Sequence, residues 1–359
     1  MFLAQIPSEL ILFSMLYGGA AVASVIACVY LCLRKGNAFA ADVTPPVSLR
    51  RWAAAFFAVA FLGHVWWYLF FIFSGDIYSV SCLVVAVIDS VSLLITITGT
   101  LLAMLQDRKR SVWPIVPAMI PYVALLVLNI VYPNGHYIII AIAYILLLYV
   151  IFSIYMVFAV RQYGRWLRDN YADLEHKEVW LSHIFVIVVL LFIIIYGFDT
   201  GDITIGYVVQ FINFILFGLL LWRVETLPQL ENTSMEQRTR QTLVIPSNIE
   251  QLLAEHCVST QLYLQHDLTI TQLAQAVGTN RLYLSHYFSR QGMTYNAYIN
   301  DLRIDHFMSL YREATSARQP ITAQQLASDS GYRSYSTFSL AFKQRLGKSV
   351  TAWMREMAQ

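Results

Sequence analysis

The sequence predicts an all-α protein in two parts, a seven-transmembrane-helix bundle followed by an all-α double helix-turn-helix DNA-binding domain. Three observations predict it. Hydrophobic residues make up 58% of the 359 and charged residues 13%, against roughly 25% charged in a soluble domain. Seven apolar runs come close to or exceed the ~20 residues that carry a helix across ~30 Å of hydrocarbon. After Trp222 the composition turns polar, and a pattern running from Thr269 to Gly278 returns from Thr322 to Gly331.

The apolar runs lie at about Leu10–Leu33, Trp52–Phe73, Tyr78–Leu105, Trp113–Tyr132, Tyr137–Val160, Trp180–Phe198 and Ile203–Trp222. The N-terminal MFLAQIPSEL has no basic region of the kind that opens a signal peptide, so the first run is expected to remain as a span. Pro114, Pro117 and Pro121 predict a kinked fourth helix. Lys and Arg alternate by loop: Arg34, Lys35, Arg50 and Arg51 in the first, Arg108, Lys109 and Arg110 in the third, Arg161, Arg165, Arg168 and Lys177 in the fifth. The loops between them have none. Because basic loops stay in the cytoplasm, the N-terminus is expected outside and everything after Arg223 inside. DNA meets a membrane protein there only in a cell without a nuclear barrier, so a bacterial cytoplasmic (inner) membrane is expected.

Aromatic residues at the ends of the runs, among them Trp52, Trp66, Trp67, Trp113, Trp180 and Trp222, read as interfacial anchors. Polar residues inside the runs are fewer. Asp89, His64, Asn129 and Asn213 form the candidate signal site, with Ser90 beside Asp89. Two roles are open for Asp89, a signal or proton-linked site and a hydrogen bond to a neighbouring helix, because an intramembrane carboxylate is costly without a partner. The absence of lysine from the runs excludes a rhodopsin-like Schiff base. Cys28 and Cys32 read as small apolar thiols, Cys82 falls in another apolar run and Cys257 in the tail. No cysteine spacing fits a disulfide framework or a metal site, so neither metal nor cofactor is expected.

Residues 1–223 are thus expected to form the membrane domain, 224–247 a polar linker and 248–359 the soluble domain. A flexible linker of that length reaches ~25 to 30 Å, which keeps the soluble domain near the bilayer. In the repeat, Thr269/Thr322, Gln272/Gln325, Leu273/Leu326, Ala274/Ala327 and Gly278/Gly331 are in register. Each Thr is an expected N-cap with Gln three residues on, giving a capping box. Each Ala admits a crossing helix, and each Gly supplies the positive φ that turns the chain. That is a helix-turn-helix. The helix after each turn carries an apolar pair, Leu284/Phe288 and Phe338/Phe342, at the four-residue spacing that faces a core. The opposite faces present Arg281, Leu282, Ser285, His286 and Ser289 in the first helix. In the second they present Tyr335, Ser336, Thr337, Ser339, Leu340 and Lys343. A helix from about Asn296 to Tyr311 joins the two units.

The stretch Gly331-Tyr-Arg-Ser-Tyr-Ser-Thr-Phe-Ser-Leu-Ala-Phe-Lys-Gln-Arg-Leu-Gly347, with Leu302-Arg-Ile304 in the connecting helix, resembles the DNA-binding domain of the AraC/XylS transcription regulators over about Ile249 to Arg355. The resemblance implies two recognition helices in successive major-groove segments. It assigns base-facing positions to Leu282, Ser285 and His286 and to Ser336, Thr337, Ser339 and Leu340, and places Asn280, Arg281 and Lys343 nearer phosphates. Leu340 stands where the family commonly has arginine, which replaces a guanine contact with an apolar surface for a thymine methyl. Val350 and Phe307 also depart from the family's usual proline and small residue.

From Pro246 on, ten basic residues face eight acids, so non-specific affinity should be modest and salt-sensitive. The expected function is that of a membrane-bound one-component regulator that senses a signal in the membrane domain and relays it through Arg223–Ser247 to promoter DNA. The expected partners are double-stranded promoter DNA, the lipid bilayer, a small-molecule or membrane-derived signal, a second copy of the chain in a homodimer, and RNA polymerase if the protein activates. A transporter or channel-like protein with a regulatory DNA-binding tail is the alternative. No paired carboxylates, nucleophile motif or phosphate-binding glycine loop point to an enzyme.

Overall fold

The computed structural model describes residues 8–34, 37–41, 43–73, 80–132, 136–174, 177, 187, 203–230, 248–318, 320 and 322–357. The chain divides into two compact units, residues 1–163 with 179–234 and residues 164–178 with 235–359. Apart from one isolated bridge, between Tyr171 and Thr269, the described elements are helices.

Helices α1 (Ser8–Leu33), α2 (Val47–Phe73), α3 (Val80–Ala103), α4 (Ile115–Val131), α5 (His136–Asn170) and α6 (Ile203–Thr226) follow the expected runs. Five of them are long and apolar enough to cross a membrane and α4 is a shorter apolar helix, which suggests a multi-pass membrane protein. The expected sixth run, Trp180–Phe198, lies outside the described residues apart from Ile187. The first unit's core lies where α1 packs on α2 and α6, and α2 on α3. Its outer surface is apolar, with Met15, Ile26, Leu33, Ile139 and Phe158 all more than 60% exposed. Such a surface suits lipid and not water. Helix α4 runs on through Pro121.

Two local features differ from the expected loops. Helix α5 continues to Asn170, well past Val160, because Arg161, Arg165 and Arg168 line one exposed face while Tyr163 and Leu167 are buried on the other. At 35 residues it is ~52 Å long, well beyond the ~30 Å hydrocarbon core. The start of the polar linker is also held: Gln106 donates to the Pro228 carbonyl at 3.0 Å and accepts from Leu230 N at 2.9 Å, and Leu227 and Leu230 are buried. Two of the basic loop residues have carboxylate partners within the first unit, Arg34 with Glu225 and Arg110 with Asp107.

The second unit contains α7 (Ile249–Leu253), α8 (Ile270–Val277), α9 (Arg281–Arg290), α10 (Tyr295–Ser316), α11 (Ala323–Asp329), α12 (Tyr335–Leu346) and α13 (Val350–Met357). It has two apolar cores. Leu268, Leu273, Val277, Leu284 and Phe288 build the first, and Leu326, Phe338, Phe342, Val350 and Trp353 the second. Helix α10 serves both, sending Tyr295 and Ile299 into one and Ile304 and Phe307 into the other. Phe307 stacks on Phe338 with ring centres 4.5 Å apart, which uses the volume that a small residue would leave empty. Burial pushes the Cys257 thiol up to about 11, so at neutral pH it is an inert core residue.

Between the cores lies Arg303, 1% exposed. Its Nε donates to Tyr263 O and its Nη2 to Gln265 O, both at 2.7 Å, and its guanidinium lies 5.4 Å from the Tyr332 ring centre. His266 Nδ1 reaches Gly331 O at 3.0 Å. Gly331 has φ +87°, and a Cβ there would lie 2.7 Å from Leu264 O. Gly278 also has positive φ but faces open space. Removing Arg303 would strand buried carbonyls at about 1 to 3 kcal/mol each. Arg303→Ala should therefore destabilise the second unit by about 3 kcal/mol. Gly331→Ala should cost about 2 kcal/mol or more, from the steric clash and the strained φ together, and Gly278→Ala about 1 kcal/mol. Hydrogen exchange across α8 to α13 in the intact protein measures all three, and the order Gly331 above Gly278 is the decisive comparison.

Candidate nucleic-acid interface

Both helix-turn-helix units are organised by their caps. Thr269 and Gln272 form the expected capping box at α8, with the Thr269 side chain accepting from Gln272 N and Gln272 accepting from Thr269 N. In the second copy Thr322 accepts from Gln325 N, but the Gln325 amide turns forward to Asp329 at 3.1 Å. The expected reciprocal box at α11 is therefore a single cap, because a carboxylate one turn ahead competes for the amide. Gly278 and Gly331 close α8 and α11 at φ +75° and +87°.

Asn280 caps α9 by accepting from Tyr283 N at 2.8 Å. Leu284 and Phe288 are buried, Leu282, His286 and Ser289 exposed, and Arg281 and Ser285 half-buried. Leu282 is 81% exposed. His286 also borders a cleft of about 280 Å³ shared with Ile249, Tyr283, Tyr287, Arg290 and Gln291. Arg281 Nε donates to Asn170 Oδ1 at 2.6 Å, a partner that sequence reading missed, because Asn170 is distant in the chain and sat in an expected loop.

Helix α12 is capped by Ser334, whose hydroxyl lies 3.0 Å from that of Ser336 and 3.1 Å from that of Thr337. Ser336 is exposed, Thr337 and Ser339 half-buried, and Leu340 58% exposed. Phe338 and Phe342 are buried at 0%, so the expected facing of this helix holds. Lys343 is exposed near its end.

Some cations of the second unit are paired and others are not. Arg333 pairs with Asp267, Arg345 with Asp301 and Asp305, and Lys348 with Glu356. Arg290 and Lys343, at the ends of the two exposed helices, have no ion pair among the described residues and lie open to solvent. A pair of capped helices, each with its apolar stripe buried and a small, mixed outer face exposed, is what major-groove reading requires.

Residues 273–356 match the family model for a helix-turn-helix domain. The C-terminal part of the chain is an AraC-type DNA-binding domain. The match begins inside α8 and ends in α13, so it takes in both exposed helices. An AraC-type domain implies DNA binding and transcription regulation, and the apolar helices before it suggest a membrane anchor. No curated protein and no solved structure matches the chain.

Upstream of the AraC-type domain, three of the four candidate signal residues lie in a polar interior of the first unit. Asp89 is 6% exposed and accepts from Trp67 Nε1 at 3.1 Å. It rests on Gly63, where a Cβ would come within 2.6 Å of Oδ1. Next along α2, His64 Nε2 lies 3.1 Å from Gln210 Oε1, and Asn213 Nδ2 reaches the same oxygen at 3.4 Å. Tyr17 donates to the His64 carbonyl at 2.8 Å. Asn129 keeps a buried Oδ1 without a partner among the described residues. Gln210 was missed by sequence reading, although its position three before Asn213 puts both on one helix face. Trp67, grouped with the interfacial anchors, turns its N–H inward to Asp89.

Two outcomes follow. Asn280→Ala should loosen the start of α9 by about 1 kcal/mol, read as faster amide exchange at Leu282 to Leu284. Asp89→Ala leaves the Trp67 N–H without its acceptor and should lower the stability of the membrane unit by about 1 to 2 kcal/mol. Asp89→Asn keeps an oxygen there and should lose less, by thermal unfolding in detergent.

Proposed function

We propose that this protein is a membrane-bound one-component transcription regulator that reads promoter DNA with α9 and α12 and takes its signal in the helical bundle. The observation that carries the reading is the pair of capped, outward-facing helices on one body joined by α10. In this reading Leu282, Ser285 and His286 face bases from α9, and Ser336, Thr337, Ser339 and Leu340 from α12. Asn280, Arg281 and Lys343 meet phosphates. Leu282 and Leu340, both well exposed, suit thymine methyl groups. The alternation of basic loops supports a cytoplasmic C-terminal domain at an inner membrane. Asp89, His64 and Asn213, with Gln210, are the proposed signal site, and Asn129 is a further candidate on α4.

The test uses the intact protein in lipid nanodiscs and duplexes enriched from a random pool. Binding should weaken log-linearly with salt. Lys343→Ala should weaken all duplexes alike and reduce the salt slope by about 1. His286→Ala and Ser285→Ala should each relax discrimination at one base position by about 1 to 3 kcal/mol. If a folded protein enriches no sequence, the reading fails.

A further inference from the structure

A segment distant in the chain is built into the first helix-turn-helix unit. Just after α5, Ala172 N donates to Leu268 O at 3.1 Å, and Tyr171 forms the antiparallel bridge with Thr269. The Asn296 amide donates to Tyr171 O at 3.2 Å and to Ala172 O at 2.7 Å. Ala172 is 2% exposed within the first core, and Lys177 Nζ lies 3.3 Å from Asp267 Oδ1. These contacts satisfy the backbone of an irregular stretch that would otherwise need water, so the docking is specific.

Its position matters for Arg281, which opens α9. Asn170 Oδ1 accepts a hydrogen bond from Arg281 Nε at 2.6 Å, and Asp169 interacts electrostatically with Arg281 as well as with Arg165 and Arg168. A guanidinium bound to that amide cannot present the same N–H to a phosphate. The base-facing Leu282 and His286 stay exposed, so the segment tunes affinity without covering the whole helix.

We propose that residues 169–174, with Lys177, act as a clasp that withholds Arg281 from DNA, and that the first helix-turn-helix unit binds DNA at full strength only when the clasp opens. The proposal rests on the DNA-binding reading above. It gives the fifth apolar helix a part in regulation, since the clasp is the direct continuation of α5.

The test measures binding of the intact protein in nanodiscs to a 40-base-pair duplex of random sequence at low salt. Asn170→Ala removes the partner of Arg281 and leaves the backbone docking in place. It should bind about tenfold more tightly, the scale of one hydrogen bond to a charged group, and the gain should vanish when Arg281→Ala is added. Asn296→Ala, which removes two of the hydrogen bonds that hold the segment and so loosens its docking, should give a gain in the same direction. A disulfide between Tyr171→Cys and Thr269→Cys joins residues directly opposed across an antiparallel bridge, a spacing that accepts one. In the Asn296→Ala background it should restore the weaker binding until a reductant is added. Unchanged or weaker binding by folded Asn170→Ala would show that the segment is only part of the domain's fold, and would overturn the clasp. Absence of binding from every form would overturn the DNA-binding reading itself.

Discussion

A buried guanidinium sets the geometry on which the DNA-binding domain depends. Arg303 is charged and almost fully out of water, a placement tolerated only when its hydrogen-bond donors are met. They are met by carbonyls of Tyr263 and Gln265, which lead into the first helix-turn-helix, while the guanidinium face packs on Tyr332 of the second. A hydrophobic contact alone would allow the two halves to slide, since apolar packing has little directional preference. A fork of N–H groups aimed at fixed carbonyls does not. Gly331 adds a steric limit, because its Cα sits where any side chain would strike Leu264. With both in place α9 and α12 are held on one body, the reading head of the proposed function, at a fixed separation that neither helix could define alone.

Much of this domain was legible in the sequence, for a physical reason. Caps, turn glycines and four-residue apolar spacing are local signals, written within a few residues of where they act. Thr269, Gly278, Leu284, Phe288, Phe338 and Phe342 all take their expected places. What was not legible is non-local. The docking of Tyr171 and Ala172 rests on one bridge, one backbone hydrogen bond, two side-chain amide bonds and the burial of Ala172, with no periodicity to announce it. The extension of α5 was hidden by its own charges. Arg161, Arg165 and Arg168 count toward a basic loop in an orientation argument, yet they also fit one face of a helix whose other face is buried. In the bundle, Asp89 and His64 were visible as costly polar residues, whereas their partners Trp67 and Gln210 required knowing which helices adjoin.

The electrostatics of the domain are more selective than its composition. Ten cations against eight acids suggests a weak and diffuse attraction to DNA. The structure assigns several of those cations to internal work: Arg303 to a core, and Arg333, Arg345 and Lys348 to carboxylates. What remains near the reading head is small, chiefly Arg281, Arg290 and Lys343. In the proposed reading few cations are then left for phosphates, so each carries a sizeable share of the salt-dependent affinity. An amide that holds or releases Arg281 is therefore a sensitive control point, whereas the same contact on a strongly basic protein would have little effect.

The membrane unit follows the same economy. Several of its buried polar side chains share hydrogen bonds in a chain, Tyr17 to the His64 backbone, His64 to Gln210, Gln210 to Asn213. The chain ties α1, α2 and α6 together, and the Trp67 to Asp89 bond joins α2 to α3. In a medium without water, a donor that loses one partner must find another protein group. Loss of one of these bonds therefore obliges neighbouring protein groups to regroup, since no water is there to replace it. At Gly63 the Asp89 carboxylate lies close against α2, in the space that a Cβ would fill.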